Sequence, residues 1–360
     1  MDNLTKEKIR RHDAFWKRGP TDRPVLAFRY GDRFPYDKMR ASRALMRHGL
    51  TITPDMVDVD AFCVQTEEEI AFAGDNPYND TIRGVAPFGG VPWMESLCGC
   101  GVMAMEHSFV SSPCQEAPGD PGKIRIDGAW LEKYTEFLEK YSTRFGDAYP
   151  VTETLMRGCL DTYGALIGQE EMIYAFFDYP EIAAQMLDRI NRVHIEMIDL
   201  TLSYSKKIGG GMLHPFGLWA PGTVNQFQED LCALVTPRQM ADYVVPLHNR
   251  MCARFDYNGV HTHPTSYHAM PEQLSVEGLQ LIQVQKDEGD PLIYNCLDVY
   301  KSVQDAGKCL LINGDFSYDE IAALIGALDI RGLYLSVTLT GDDSPERMHE
   351  FICEKCEKKH

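Results

Sequence analysis

A (β/α)8 barrel, also called a TIM barrel, is the α/β fold class this sequence predicts, on three observations. Strand-like apolar runs recur eight times, helical periodicities lie between most of them, and 360 residues at 44 % hydrophobic content suffice for one large core. Repeated strand-then-helix units imply a parallel sheet, and eight of them in this length favour closure over an open, doubly wound sheet. The expected architecture is a single domain over residues 1–360, with an N-terminal helical extension and an insertion after the second strand.

Each element has its own signal. In the extension, KEKIRRHDAFWKR spaces charges around Ile9, Ala14, Phe15 and Trp16, as a solvated helix with one apolar face does. The strand-like runs are 25–30 (VLAFRY), 57–64 (VDVDAFCV), 149–155, 208–216, 257–263, 279–284 (LQLIQV), 308–313 (KCLLIN) and 332–338 (GLYLSVT). Helical patterns cover 129–145, 161–177, 180–206, 236–255, 268–277, 297–306 and 316–328. Residues 66–128 break the alternation with turn-rich stretches such as GDNPYND, APFGGVP and EAPGDPGK and show no long helix; they read as an insertion over the barrel mouth.

A formal net charge of −18 argues against general nucleic-acid or anionic-membrane binding, since that field repels phosphate. Residues 1–50 hold thirteen Lys/Arg against six Asp/Glu, a balance of +7 that leaves −25 for the remainder. Neither a membrane-length apolar run nor a secretory leader pattern is visible, and the eleven scattered cysteines suit reduced, buried thiols, so a cytoplasmic protein is expected.

In such a barrel the chemistry sits where the strands end. The foremost candidates are His261 and His263 in YNGVHTHPTSYH: two apart on a strand, they point to one side and can share a metal ion or move protons. Their counterpart reading is a pair that only satisfies a carboxylate or water. Other strand ends offer Arg29 with Arg33, Asp60, Glu153 with Arg157, His214 and Gln283. Arg29 and Arg33 flank a Tyr-Gly-Asp turn and could grip an anionic group bidentately, or pair with local acids. Glu153 beside Arg157 reads as a general base held by a cation, or as a buried ion pair. Cys98-x-Cys100 lacks a second ligand pair, Cys353-x-x-Cys356 lies on a terminal helix, and Gly209–Gly211 precede a strand rather than follow one.

Six features stand in order along the chain: the opening TKEKIRRHDAFWKRGPTDRPVLAFR, the Arg29/Arg33 pair followed by Pro35 and Tyr36, ETLMRGCLDTYGALIG, FFDYPE, QFQEDLCALVTPRQMADYVVPLHNRM and GVHTHPTSYHAMPEQLSVEGLQLIQ. Together they resemble the superfamily that unites uroporphyrinogen decarboxylase with the corrinoid-linked methyltransferases. The resemblance implies a (β/α)8 barrel with a cleft at its carboxyl end, acting on a small molecule. Its methyltransferase branch implies zinc, which lowers a thiol's pKa, and a corrinoid supplied by a partner protein. His261 falls at the first zinc ligand, His263 replaces a cysteine, and LSVTLTG has no thiol; Glu153 is a candidate third ligand. Its decarboxylase branch implies no cofactor, with Arg29, Arg33, Asp60 and Tyr163 in the working roles, although Tyr30 stands where a glutamine is expected. A barrel that only binds a ligand is the third reading, and a homodimer is compatible with each.

Overall fold

Asp2 starts the first helix, Asn3–Trp16, by accepting from the Thr5 N–H at 2.7 Å. The helix lays Phe15 and Trp16 against one end of the central sheet, in a cluster with Val25, Leu281, Leu311 and Tyr334. Two hydrogen bonds fix it there: Trp16 Nε1 donates to Trp219 O, and the Trp219 N–H donates to His12 Nδ1, both at 2.9 Å. The computed structural model describes residues 1–30, 40–74, 76–287, 292–341 and 343–359.

The strands are β1 (Val25–Tyr30), β2 (Thr51–Ile52), β3 (Gly101–Ala104), β4 (Phe109–Ser112), β5 (Met212–Leu213), β6 (Trp219–Ala220), β7 (Val224–Gln228), β8 (Tyr257–Thr262), β9 (Leu279–Gln285), β10 (Cys309–Asp315) and β11 (Leu333–Leu339). Six of them form one parallel sheet in the order β1-β11-β10-β9-β8-β7. Helices Ile293–Asp305, Tyr318–Ala327 and Pro345–Glu357 each follow a strand of this sheet and pack on its outer face, where Ile321, Leu324, Met348 and Ile352 meet Leu310, Ile312, Leu335 and Val337. Beyond β7, isolated parallel bridges join Gln228 to Arg157 and Val151 to Val85. The Asp80 N–H donates to Leu26 O, and the Asp80 carboxylate accepts from the Leu26 N–H, both at 2.8 Å. Backbone contacts thus run from β7 back to β1 through residues 151–157 and 80–85, a barrel-like arrangement.

Five expected strands are in the sheet, and the other three are not. Residues 57–64 were expected to be a strand; Asp58 instead caps helix Val59–Ala73 through the Ala61 N–H at 3.1 Å. Residues 149–155 pair only at the Val151 bridge, and 208–216 contribute β5 to a small antiparallel hairpin with β6. The sixth sheet strand, Val224–Gln228, was not expected. The helix expected at 161–177 is two, broken at Gly168, whose φ of +106° few side-chain-bearing residues tolerate. In 66–128 the expected absence of a long helix fails at its start, where Val59–Ala73 enters it; further on, β3 and β4 form an antiparallel sheet with β2, which precedes the segment. Its neighbourhood is held by Trp93, against which Trp130, Tyr134 and Phe137 pack edge-on. No described helix is long and apolar enough to cross a membrane.

Candidate metal centre and its cavity

β8 ends at Thr262, and His263 caps the short turn Pro264–Ala269, so the two histidines stay in the strand's alternation. Their Nε2 atoms face each other at 2.9 Å. Each Nδ1 is engaged on the far side, His261 with Gln283 Oε1 at the end of β9 and His263 with Asp287 Oδ2. In the tautomers that donate from Nδ1, both Nε2 lone pairs point into one space, which suits a cation between them. Asp230 faces the same space: its Oδ1 lies 3.8 Å from His263 Nε2, and its Oδ2 accepts from Gln228 Nε2 at 3.0 Å. One ligand atom from each of Asp230, His261 and His263 lies within 4.8 Å of the others. Burial pushes His261 below its ordinary value, favouring the neutral imidazole that ligation requires.

Asp230 is held by two reciprocal caps. Glu229 accepts the N–H groups that open helix Cys159–Ile167, from Cys159 at 2.8 Å, Leu160 at 2.9 Å and Asp161 at 3.4 Å. Asp161, on that helix, accepts the N–H groups of Asp230 at 3.0 Å and Leu231 at 2.7 Å, opening the turn Asp230–Leu234. Each carboxylate thus sits at the positive end of the other's helix. Gly158 permits the approach, since a Cβ there would stand 2.1 Å from Glu229 Oε1. Cys159, Glu229 and His248 also lie within ligand reach of one another, but the Glu229 oxygens are occupied by these N–H groups and by His248 Nε2–H at 3.1 Å; this cluster is structural.

A cavity of about 810 Å³ reaches His261, lined from the strands by Arg29, His261, Gln283, Asn313 and Ser336 and on another side by Asn79 and residues 81–84. Arg29 lines this cavity, while its local acidic neighbours Asp32 and Asp37 lie outside the described residues. His214 reaches the wall with both nitrogens engaged by backbone: Nε2–H donates to Asn225 O at 3.1 Å and Nδ1 accepts from the Phe216 N–H at 3.3 Å. Burial holds it neutral, down to about 3. Glu153 faces a neighbouring cavity of about 430 Å³ that shares Gly84, Thr152, Leu155, Pro215 and Phe216 with the larger one. Arg157 is tied to buried Glu95 at 2.8 Å and lines a third space, about 310 Å³, with Asp161 and Asp230.

Of the residues expected at the site, the structure brings Arg29, His214, His261 and Gln283 to one cavity. The carboxylate beside the histidines is Asp230, and Glu153 does not join them. Asp60 is on an exposed helical face paired with Lys140 at 2.9 Å, because the run that carries it is a helix. Tyr163 is buried and donates to Pro118 O at 2.8 Å, outside the cavity lining. Arg33 lies outside the described residues. Sequence reasoning missed Asp230, Glu229 and Asp287; the available signal was an acidic pair directly after VNQFQ, hidden because that strand is mostly amide side chains.

No family model matches the chain, and no curated protein matches it. Among solved structures, a methyltransferase from Methanosarcina mazei superposes with a TM-score of 0.63 over 98 % of each chain, at 11 % identity. At that identity the likeness establishes a shared fold, and the chemistry has to be argued from the site.

Proposed function

We propose that this chain is a metal-dependent methyltransferase, with zinc held by Asp230, His261 and His263, that exchanges a methyl group between a small polar substrate or thiol and a corrinoid carried by a partner protein. The observation that carries this reading is the gathering of one ligand atom from each of Asp230, His261 and His263 within 4.8 Å, where the two Nε2 atoms lie 2.9 Å apart and the buried Asp230 Oδ1 has no hydrogen-bond partner among the described residues. That donor set fits zinc: two imidazoles whose far nitrogens have acceptors, and one carboxylate. The fold shared with a methyltransferase and the segment-by-segment resemblance support the same reaction class. We read the six-stranded sheet and its two bridged segments as the (β/α)8 barrel of that superfamily.

Zinc bound here would lower the pKa of a ligating thiol, making its thiolate the methyl acceptor. The chain's own residues do the rest. Gln283 and Asp287 fix the ring orientations, Gln228 holds one Asp230 oxygen so that the other faces the histidines, and Arg29 binds an anionic group of the substrate elsewhere in the cavity. The decarboxylase alternative has less support, since Asp60 and Tyr163 do not line this cavity.

Metal analysis joined to a transfer assay tests the proposal. The purified, zinc-reconstituted chain should hold about one equivalent, falling below about a tenth in Asp230→Ala and His261→Ala. Demethylation of methylcobalamin by a small thiol, followed by absorbance, should be lost in both variants. A wild-type chain that holds no zinc, or transfer undiminished in His261→Ala, overturns it.

A further inference from the structure

β3 and β4 are antiparallel neighbours with Gly101 opposite Ser112. Cys100 stands one residue before β3 and Cys114 two residues after β4, so the open end of the hairpin brings two thiols together. Their Sγ atoms are 3.8 Å apart. Cys100 is buried, with its Sγ against Ala165 O at 3.5 Å, whereas Cys114 is exposed. Both backbones are anchored: the Cys100 N–H donates to Glu95 O at 2.9 Å and the Cys114 N–H to Leu166 O at 3.0 Å. A disulfide of about 2.0 Å between them asks the two side chains to close the remaining gap between their sulfur atoms.

We propose that Cys100 and Cys114 form a reversible dithiol–disulfide site, oxidised by hydroperoxides, with exposed Cys114 as the thiol attacked first and buried Cys100 as its resolving partner. The Cys114 thiolate attacks one peroxide oxygen; the O–O bond breaks, the sulfur becomes sulfenic acid, and the leaving hydroxide or alkoxide takes a proton to give water or alcohol. The Cys100 sulfur then attacks the Cys114 sulfur, the S–O bond breaks, and hydroxide departs with the Cys100 proton as water. Two thiols are oxidised by two electrons and one peroxide is reduced. The Cys100 neighbour lowers the Cys114 thiol to about 7, which populates the thiolate near neutral pH. Ser111 and Pro113 at this end of the hairpin line the space shared by Arg157 and Asp230, so the cross-link would brace a wall beside the proposed metal centre.

Intact mass and non-reducing peptide mapping after treatment with hydrogen peroxide test this on the full chain. We expect a loss of about 2 Da, a Cys100–Cys114 linked peptide, and full reversal by dithiothreitol. Cys114→Ser should abolish the 2 Da loss, and Cys100→Ser should leave Cys114 as a sulfenic acid trapped by dimedone. Linkage of other cysteines instead, or equal dimedone labelling at Cys114 in wild type and Cys100→Ser, overturns the proposal. If Cys100→Ser fails to fold, Cys100→Ala read by the same labelling decides it.

Discussion

Glu153 is a carboxyl enclosed by protein, and desolvation pushes it from its ordinary 4.5 up to about 8 against the pull of one N–H from Gln226 at 3.0 Å. Its other oxygen, Oε1, has no hydrogen-bond partner among the described residues. Below pH 4.5 the group is protonated whether the chain is folded or not, and it adds no pH dependence. As pH rises towards 8 only the unfolded chain releases this proton, so the folded state loses stability by about 1.4 kcal/mol per pH unit, and above that value the loss is complete. Glu153→Gln keeps a carbonyl for the Gln226 N–H and removes the titration. Denaturant midpoints taken between about pH 5 and 8 should therefore show the variant gaining on wild type as pH rises. Parallel curves would mean that Glu153 is ionised in the fold.

The two reciprocal caps tie helix Cys159–Ile167 to the turn Asp230–Leu234, and through them the position of one proposed ligand depends on a different element. Glu229→Gln places an amide NH2 among N–H donors that need an acceptor and leaves His248 without its carboxylate. We expect a loss of about 3 kcal/mol in denaturant unfolding, together with weaker zinc retention although no ligand is altered. A variant with wild-type stability would show that the helix N-terminus is satisfied some other way. This linkage was not legible in the sequence, because Glu229 and Asp161 are 68 residues apart and no spacing rule pairs them. The errors over elements have local causes. VDVDAFCV alternates like a strand, yet Asp58 is a helix cap, and a cap signal at the head of a run should outweigh alternation inside it. VNQFQ fails every strand rule based on apolar content, although all five residues are buried; Asn225 Nδ2 donates to Asn258 Oδ1 at 3.1 Å, and Asn258 in turn donates to three backbone carbonyls. By contrast, His261 and His263 were readable because a period of two on a strand is geometric and survives any error in neighbouring elements.

For the molecule as a whole, the C-terminal half carried the fold in its sequence: four apolar runs, each set off by turn residues, became β8 to β11 within a residue or two of their expected bounds. Before residue 220 β1 was legible at its expected bounds, but the remaining strands were not, since there the chain reaches the barrel-like arrangement through single bridges at Val85, Val151 and Arg157 rather than full ladders, and a bridge leaves no periodic trace. The proposed centre joins β7, β8 and β9, consecutive members of the sheet, so a cation at Asp230, His261 and His263 would bind only when those strands are assembled. Binding to the folded state alone stabilises by RT ln(1 + [L]/Kd), about 2.7 kcal/mol at a free metal concentration of about 100 Kd. Spread over the unfolding entropy of a 360-residue chain, that amounts to a rise in Tm of roughly 3–4 °C. Calorimetry of metal-stripped protein with and without zinc should show this rise in wild type, almost none of it in Asp230→Ala, and none in the double variant His261→Ala/His263→Ala. An equal rise in all three would place the metal elsewhere on the chain and remove the stability argument for this centre.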